Sequence, residues 1–373
     1  MSKKVCGTCL LTDDVEGVAL DSDGICNVCR IWQGGGEQRQ EQQRMHFQKD
    51  LEATLRAAKG SGKQYDCIVS FSGGKDSCYL LHRLVVDHGL KVLAYTSDYD
   101  IPPRTWENIR RTVKALGVDH HVHKPSLTLY KRFIRHLLMN QGPKGAVHTV
   151  CYFWLDIREG DLLRFALDKD IPLIFTGYSP GQPDPERMLY EMPPARIARD
   201  WTPHELFRSG VFQEHELALF WNPRRYAAGV TLPRILAPFH AWDYDQAKVT
   251  AKVIELGLVQ DRIHANPVLS NFTLNWLLMY SDLKNLGHNP YKPEFSKLVR
   301  EGKAKRLQWR IVFALMDFMV RKQILMGRHI KKSLQDLELQ LDDLKMAPPA
   351  AVTPTSSGTQ VHSDTMGKPR DYA

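Results

Sequence analysis

Between residues 65 and 178 the chain alternates between two hydrophobic rhythms. The runs "CIVSF" (67–71), "KVLAYTS" (91–97), "HHVHKP" (120–125) and "PLIFTG" (172–177) have the length and the β-branched or aromatic content of strands. Between them, "KDSCYLLHRLVVDHG", "RTWENIRRTVKALG" and "LDIREGDLLRFALDK" space apolar residues three and four apart, the pattern of helices with one buried face. This alternation predicts an α/β fold, a parallel sheet with helices on both faces. Right-handed crossovers gather the loops that follow the strands along one edge, where open α/β sheets bind ligands.

Outside that core the rhythm changes. Residues 1–35 form a cysteine-rich head, and 36–64 a polar linker with a helical segment, "RMHFQKDLEATLRAAK". The core spans 65–182. Residues 183–240 are proline-rich and weakly periodic, which predicts an insertion or lid. A helical region follows at 241–345, with helices in "DYDQAKVTAKVIELG", "TLNWLLMYSDLKNLG" and "PEFSKLVREGKAKR" and a long final helix to about Leu344. Residues 346–373 have the composition of a disordered tail. No internal repeat is present.

Composition narrows the class. The 373 residues are 43% hydrophobic and 25% charged, as in a soluble globular protein with one large domain or two ordinary ones. The start "MSKKVCGTC" lacks the pattern of a secretory signal, and the apolar run "IVFALMDFMV" is interrupted by Asp317 and too short to span a bilayer. A cytoplasmic protein with no membrane partner is expected. The net charge of +8 suits an anionic ligand. Lysines and arginines are scattered without interleaved aromatics, which favours a small anionic substrate over tRNA.

The most informative stretch is "SFSGGKDS", between the first strand and the first core helix. It lacks the spacing of a Walker loop. Gly73 and Gly74 permit a tight backbone approach, and a helix starting near Lys75 or Asp76 aims free N–H groups at a ligand. Ser72 and Ser77 offer hydroxyls to phosphate oxygens, Lys75 offers charge, and Asp76 a ligand for Mg²⁺. The plain alternative is a glycine turn with Asp76 and Ser77 as ordinary caps.

"SGGKDS" after a buried strand resembles the PP-loop of the ATP pyrophosphatases, the adenine nucleotide alpha hydrolase-like superfamily. GMP synthetase, argininosuccinate synthetase, tRNA-thiolating enzymes and N-acetyl sugar amidotransferases belong to it. The resemblance implies that the nucleotide is ATP and that Ser72, Gly73, Gly74, Asp76 and Ser77 grip its β,γ-pyrophosphate. The α–β bond then breaks, giving AMP and pyrophosphate, with Lys75 and Asp76 in catalytic positions. Tyr95 and Thr96 would lie near the adenine, and Thr176–Gly177 where a glycine approaches the nucleotide. Transfer of AMP turns a carbonyl or amide oxygen into a leaving group that nitrogen or sulfur can displace.

In the head, Cys6, Cys9, Cys26 and Cys29 have the spacing C-x2-C-x16-C-x2-C. Four thiolates closing on one ion predict a structural Zn²⁺ site, with an iron–sulfur cluster as the alternative. "CGTCLLTDDVEGVALDSDGICNVC" followed by a PP-loop, with "FSKLVREGKAKR" further on, is similar to the N-acetyl sugar amidotransferases over roughly residues 5–310. That resemblance implies a nucleotide sugar whose N-acetyl oxygen is activated by ATP and displaced by ammonia from a partner glutaminase. The chain departs from it at Lys75, where a small apolar residue is expected, and in "TGYSPGQPDPE", which lacks the acidic pattern.

Cys151 carries the alternative, a PP-loop sulfurtransferase acting on a small molecule or tRNA. Thiolating relatives have C-x2-C here, whereas this chain has Trp154 at the second position. A lone Cys151 thiolate suits a persulfide if Arg158 lowers its pKa; otherwise it is a buried cysteine among aromatics. A third reading is a scaffold without turnover. Cys67 and Cys78 fall at core positions. His120, His121 and His123 sit on a strand, with the last two on one face and no carboxylate at ligand spacing. Ser270, Asn271 and Asn275 flank a helix start and suit capping or substrate binding.

Overall fold

A computed structural model describes residues 3–60, 64–182, 187–203, 210–266 and 272–347. Ser270, Asn271 and residues 348–373 of the expected tail lie outside the described residues. Five strands, β1 (Cys67–Ser70), β2 (Val92–Ser97), β3 (Asp119–His123), β4 (Leu173–Thr176) and β5 (Arg234–Leu236), form one sheet in the order β3-β2-β1-β4-β5. Every pairing is parallel, from Leu93 opposite Asp119 at one side to Leu173 opposite Arg234 at the other. This is the expected α/β fold. The fifth strand lies inside the stretch expected to be a lid. Its three residues between prolines are too short to show a period.

The central strands are apolar on both sides because both faces are covered. On β1, Cys67 and Val69 face one core with Ala94 and Phe175, while Ile68 faces the other with Ile174 and Ile235. The first core is closed by α2 (Gly36–Ala58), α3 (Lys75–His82), α4 (Pro103–Leu116) and, later in the chain, a helix at Gln246–Glu255. Cys67 and Cys78 are fully buried here, in the core role expected of them.

The second face is covered by α6 (Gly145–Asp168), which follows α5 (Leu127–Met139). Neither the existence of α5 nor the first turns of α6 follow from the expected elements. The start of α6 is fixed from outside. Gly145 has φ +87°, where an added Cβ would run into the Asp282 carboxylate. The Asp282 carboxylate accepts hydrogen bonds from the N–H groups of Ala146 and Val147, so a distant residue caps this helix.

Helix α6 also joins two bodies. Leu162, Leu163 and Ala166 pack on the sheet, whereas Ala146, Val150, Trp154 and Ile157 pack into a helical layer. Pro194–Ile197 is a single turn, α7, and Gln246–Glu255 on the first core is α8; the helical layer is built from α9 (Asn275–Asn285), α10 (Lys292–Arg300), α11 (Arg306–Arg321) and α12 (Gly327–Asp336). The expected long final helix is therefore two helices. Gln323 (φ 54°) and Leu325 (φ 62°) break it in left-handed conformations. No helix among the described residues is long and apolar enough to cross a membrane.

Candidate active site

The loop after β1 lies at the sheet edge where the crossovers converge. Phe71 extends the strand ladder by one bond, its N–H donating to the Tyr95 carbonyl at 2.7 Å. Gly73 then turns the chain at φ +72°, and an added Cβ would meet Ile109 Cγ1 at 2.5 Å and the Thr105 carbonyl at 2.9 Å. Glycine is required there on both counts. Asn108 Nδ2 holds the turn by donating to the Gly73 carbonyl at 3.1 Å. Helix α3 begins at Lys75 with no side chain capping it, so its first N–H groups are left for a ligand. From β4, Gly177 backs onto that first turn, its Cβ position 3.1 Å from the Ser77 nitrogen.

Side chains complete the loop. The Ser72 and Ser77 hydroxyls lie 3.2 Å apart, and Ser77 Oγ donates to the Gly74 carbonyl at 3.0 Å. Lys75, only 6% exposed, is held by Asp76 (Nζ to Oδ2, 2.6 Å) and by the Tyr244 hydroxyl (3.2 Å). Tyr244 in turn donates to Asp76 Oδ1 at 2.9 Å. Burial, the Asp76 charge and that hydrogen bond keep the Tyr244 phenol protonated far above its ordinary range.

A cleft of about 680 Å³ opens from this loop. Residues 72–77, Thr176, Gly177 and Tyr244 line it, as do Leu155 and Arg158 of α6 and Tyr291, Glu294, Trp309 and Phe313 of the helical layer; the part built by α6 and the helical layer is termed its outer half. Glu294 is pushed up to about 7 by burial, with Lys75 pulling it down and Asp76 pushing it up. Between its ordinary 4.5 and about 7 the folded chain holds a proton that the unfolded chain has released. Stability is therefore expected to fall as pH rises through that window. Melting curves from pH 4.5 to 7.5 check this: Glu294→Gln should flatten the dependence, and an unchanged slope would contradict it.

The structure thus brings Ser72, Gly73, Gly74, Lys75, Asp76, Ser77, Thr176 and Gly177 into one cleft. It does not bring Tyr95 or Thr96 there. Tyr95 is buried on the α6 side of the sheet, donating its hydroxyl to Asp161 and stacking on His121 with ring centroids 5.0 Å apart. Thr96 points to the opposite face, where its hydroxyl donates to the Phe71 carbonyl at 2.7 Å and meets His120 Nε2 at 2.8 Å. Both are turned into the core because β2 is an interior strand.

Cys151 is also outside the cleft lining. It lies on α6 one turn before Leu155, packed against the core of the helical layer. Burial pushes its thiol up to about 12; Asp282 adds to this and Arg158 only partly offsets it. That direction is opposite to the lowering by Arg158 on which the persulfide reading was conditional. Asn275 does border the cleft, and its side-chain oxygen accepts a hydrogen bond from Tyr291. Tyr244, Glu294 and Asn108 are not singled out from the sequence, and Arg158 enters there only as a charge beside Cys151. Each is brought in by a long-range packing contact that no local pattern announces.

In the head, the four cysteines are fully buried and unbridged, and their sulfurs all lie within 4.8 Å of one another. Two edges measure 3.9 Å (Cys6–Cys29) and 3.7 Å (Cys9–Cys26). Four sulfurs at about 2.3 Å from one tetrahedral ion would be about 3.8 Å apart. Backbone N–H groups of Thr8, Leu11, Cys26 and Cys29 point at the sulfurs at 3.2–3.4 Å, as is usual around buried thiolates. Among the described residues this is the only cluster of histidines, cysteines and carboxylates able to hold a metal ion, so the strand histidines form none. The head is tied to the cleft wall. Arg306, the first residue of α11, donates to the carbonyls of Cys9 (2.9 Å) and Cys6 (2.5 Å), and the Leu10 N–H donates to Ser296 Oγ on α10 at 3.2 Å.

No family model matches the chain, and no curated protein matches it. Solved structures to which it is similar include the U34-tRNA thiolase NcsA from Methanococcus maripaludis with its [4Fe-4S] cluster, at 10% identity and TM-score 0.34, over 96% of this chain and 95% of that one. Another is an NMN synthetase from Francisella tularensis, at 11% identity and TM-score 0.31, over 82% of this chain and 97% of that one. A third is an NH3-dependent NAD synthetase from Campylobacter jejuni, at 15% identity and TM-score 0.26, over 39% and 58%. Likenesses at this level identify neither substrate nor role.

Proposed function

We propose that the chain is an enzyme that splits ATP into AMP and pyrophosphate to activate a carbonyl or amide oxygen, which ammonia then displaces. The acceptor on this reading is a small anionic molecule, a nucleotide sugar in the first instance. One observation carries the proposal: an uncapped helix start, with Gly73 turned to φ +72° and Gly177 pressed against Ser77, opens into a cleft beside a buried Lys75 paired with the half-buried Asp76.

The acceptor oxygen attacks the α-phosphorus, forming a C–O–P bond as the α–β P–O bond breaks and pyrophosphate leaves. Ammonia then adds to the carbon, and AMP departs with the oxygen. The N–H groups at the start of α3, the two serine hydroxyls and Lys75 are placed to take the charge that develops on pyrophosphate. Asp76 would hold Mg²⁺: its oxygens face Lys75 and Tyr244 but keep lone pairs, and the ion would supply further charge neutralisation. Tyr244 keeps the Lys75–Asp76 pair in place.

The four-cysteine site would hold Zn²⁺, closed to water and therefore structural, with its edges matching one tetrahedral ion. An iron–sulfur cube places a separate iron beside each thiolate, which asks for wider sulfur spacing. Glutaminase activity would belong to a partner chain.

Product analysis tests the reading. With Mg-ATP, a panel of UDP-N-acetyl sugars and ammonium, the sugar product should be about one mass unit lighter, with AMP formed in equal amount. A gain of about sixteen units with sulfide, lost in Cys151→Ser, would make the chain a sulfurtransferase instead. Release of ADP and phosphate would overturn both.

A further inference from the structure

The outer half of the cleft has a chemistry of its own. Arg158 lines it and makes one side-chain hydrogen bond, from Nη2 to the Tyr178 hydroxyl at 2.8 Å. Among the described residues its Nε is buried without a hydrogen-bond partner. The acids beside it on α6 are already taken: Asp156 by Arg187 (2.6 Å) and Arg196 (2.5 Å), and Glu159 by Arg187 (2.5 Å). Those two carboxylates are thus paired with Arg187 and Arg196, and among the described residues Arg158, which lines the cleft, has no ion pair. Tyr178 also donates to Glu159 at 2.8 Å, so the hydroxyl that receives Arg158 is itself fixed. A positioned guanidinium with spare donors is a receptor for an anion.

The same cleft is lined by a cluster of rings. Phe295 and Trp309 have centroids 3.8 Å apart, and Trp309 and Phe313 5.8 Å, with Met316 and Leu155 beside them. These rings come from α10 and α11, the two helices bound to the cysteine head through Ser296 and Arg306. They line the same cleft as the loop but belong to different elements.

We infer that this outer half is the acceptor subsite, in which Arg158 binds a phosphate or carboxylate of the acceptor and Phe295, Trp309 and Phe313 hold its planar or apolar part. This deepens the proposed reaction and rests on it for the word acceptor. Arg158 is then a specificity residue, acting on which molecule is admitted. A nucleotide sugar fits the chemistry, with its base or sugar against the rings and its diphosphate on the guanidinium.

Calorimetric titrations of the full chain test this, with a non-hydrolysable ATP analogue present. The probes are UDP-N-acetylglucosamine for a phosphate, N-acetylneuraminate for a carboxylate, and uridine and N-acetylglucosamine as uncharged controls. At least one charged probe should bind more tightly than the uncharged ones, and which one it is tells phosphate from carboxylate. Arg158→Gln should weaken that binding about 10- to 100-fold, the usual cost of a lost charged hydrogen bond. Affinity for Mg-ATP should change less than about twofold, because the loop is untouched. Arg158→Lys, which keeps the charge and loses the fork, should fall between, and Trp309→Ala should weaken the probe without removing its charge preference. Equal loss of ATP binding would assign Arg158 to the nucleotide instead. Unchanged probe binding, no binding of either charged probe by the wild type, or Arg158-dependent binding of single-stranded RNA alone would overturn the inference. The two claims fail separately: probe binding that depends on Arg158 without AMP formation removes the reaction, and AMP formation indifferent to Arg158 removes the subsite.

Discussion

Gly73→Ala is expected to lower AMP formation about 100-fold or more, the scale of a displacement of about 1 Å in a catalytic group. The methyl group would sit 2.5 Å from Ile109 Cγ1 and 2.9 Å from the Thr105 carbonyl, and one of those atoms is backbone. A φ of +72° adds strain of about 1–2 kcal/mol for any residue with a Cβ. The loop must therefore shift, and the N–H groups that follow it shift with it. Gly177→Ala meets Ser77 at 3.1 Å with no strained φ, so its loss should be smaller, about tenfold. Steady-state release of AMP and pyrophosphate measures both. Equal activity in the two variants, or a wild-type rate in Gly73→Ala, would remove the loop from the chemistry.

The second large effect is expected from the head. Cys26→Ala takes one of four buried thiolates from the metal site and leaves three charges with no water around them. The melting temperature should fall by on the order of 10 °C, and the purified chain should lose its one equivalent of metal. Because Arg306 and Ser296 tie the head to α11 and α10, the ring wall of the cleft should loosen at the same time. Hydrogen exchange in residues 292–321 reads this out. Loss of metal with unchanged exchange there would show that the head and the cleft are independent.

Much of the loop side of the candidate site is legible in the sequence. Gly73, Gly74 and the hydroxyls on either side carry the loop in eight consecutive residues, and the strand before it is short and apolar. The head is equally local, with four cysteines at a spacing that one ion dictates. What escapes is the part made by packing between distant segments. Tyr244 reaches Asp76 across 168 positions, and Asp282 caps α6 across 136. Helix α6 itself hides its first turns, because it is buried between the sheet and the helical layer and shows apolar residues all round. Tyr95 and Thr96 show the opposite case, residues expected near the ligand that do not line the cleft. A strand beside the loop strand looks like a lining from its sequence position, yet its side chains point above and below the sheet into two cores.

The central claim is that AMP is transferred to an oxygen of the acceptor, and isotope transfer tests it most directly. An N-acetyl acceptor labelled with ¹⁸O in its amide carbonyl should pass the label to AMP, which becomes about two mass units heavier as ammonia takes the oxygen's place. Label that stays in the sugar product, or that appears in inorganic phosphate with ADP, would contradict the account.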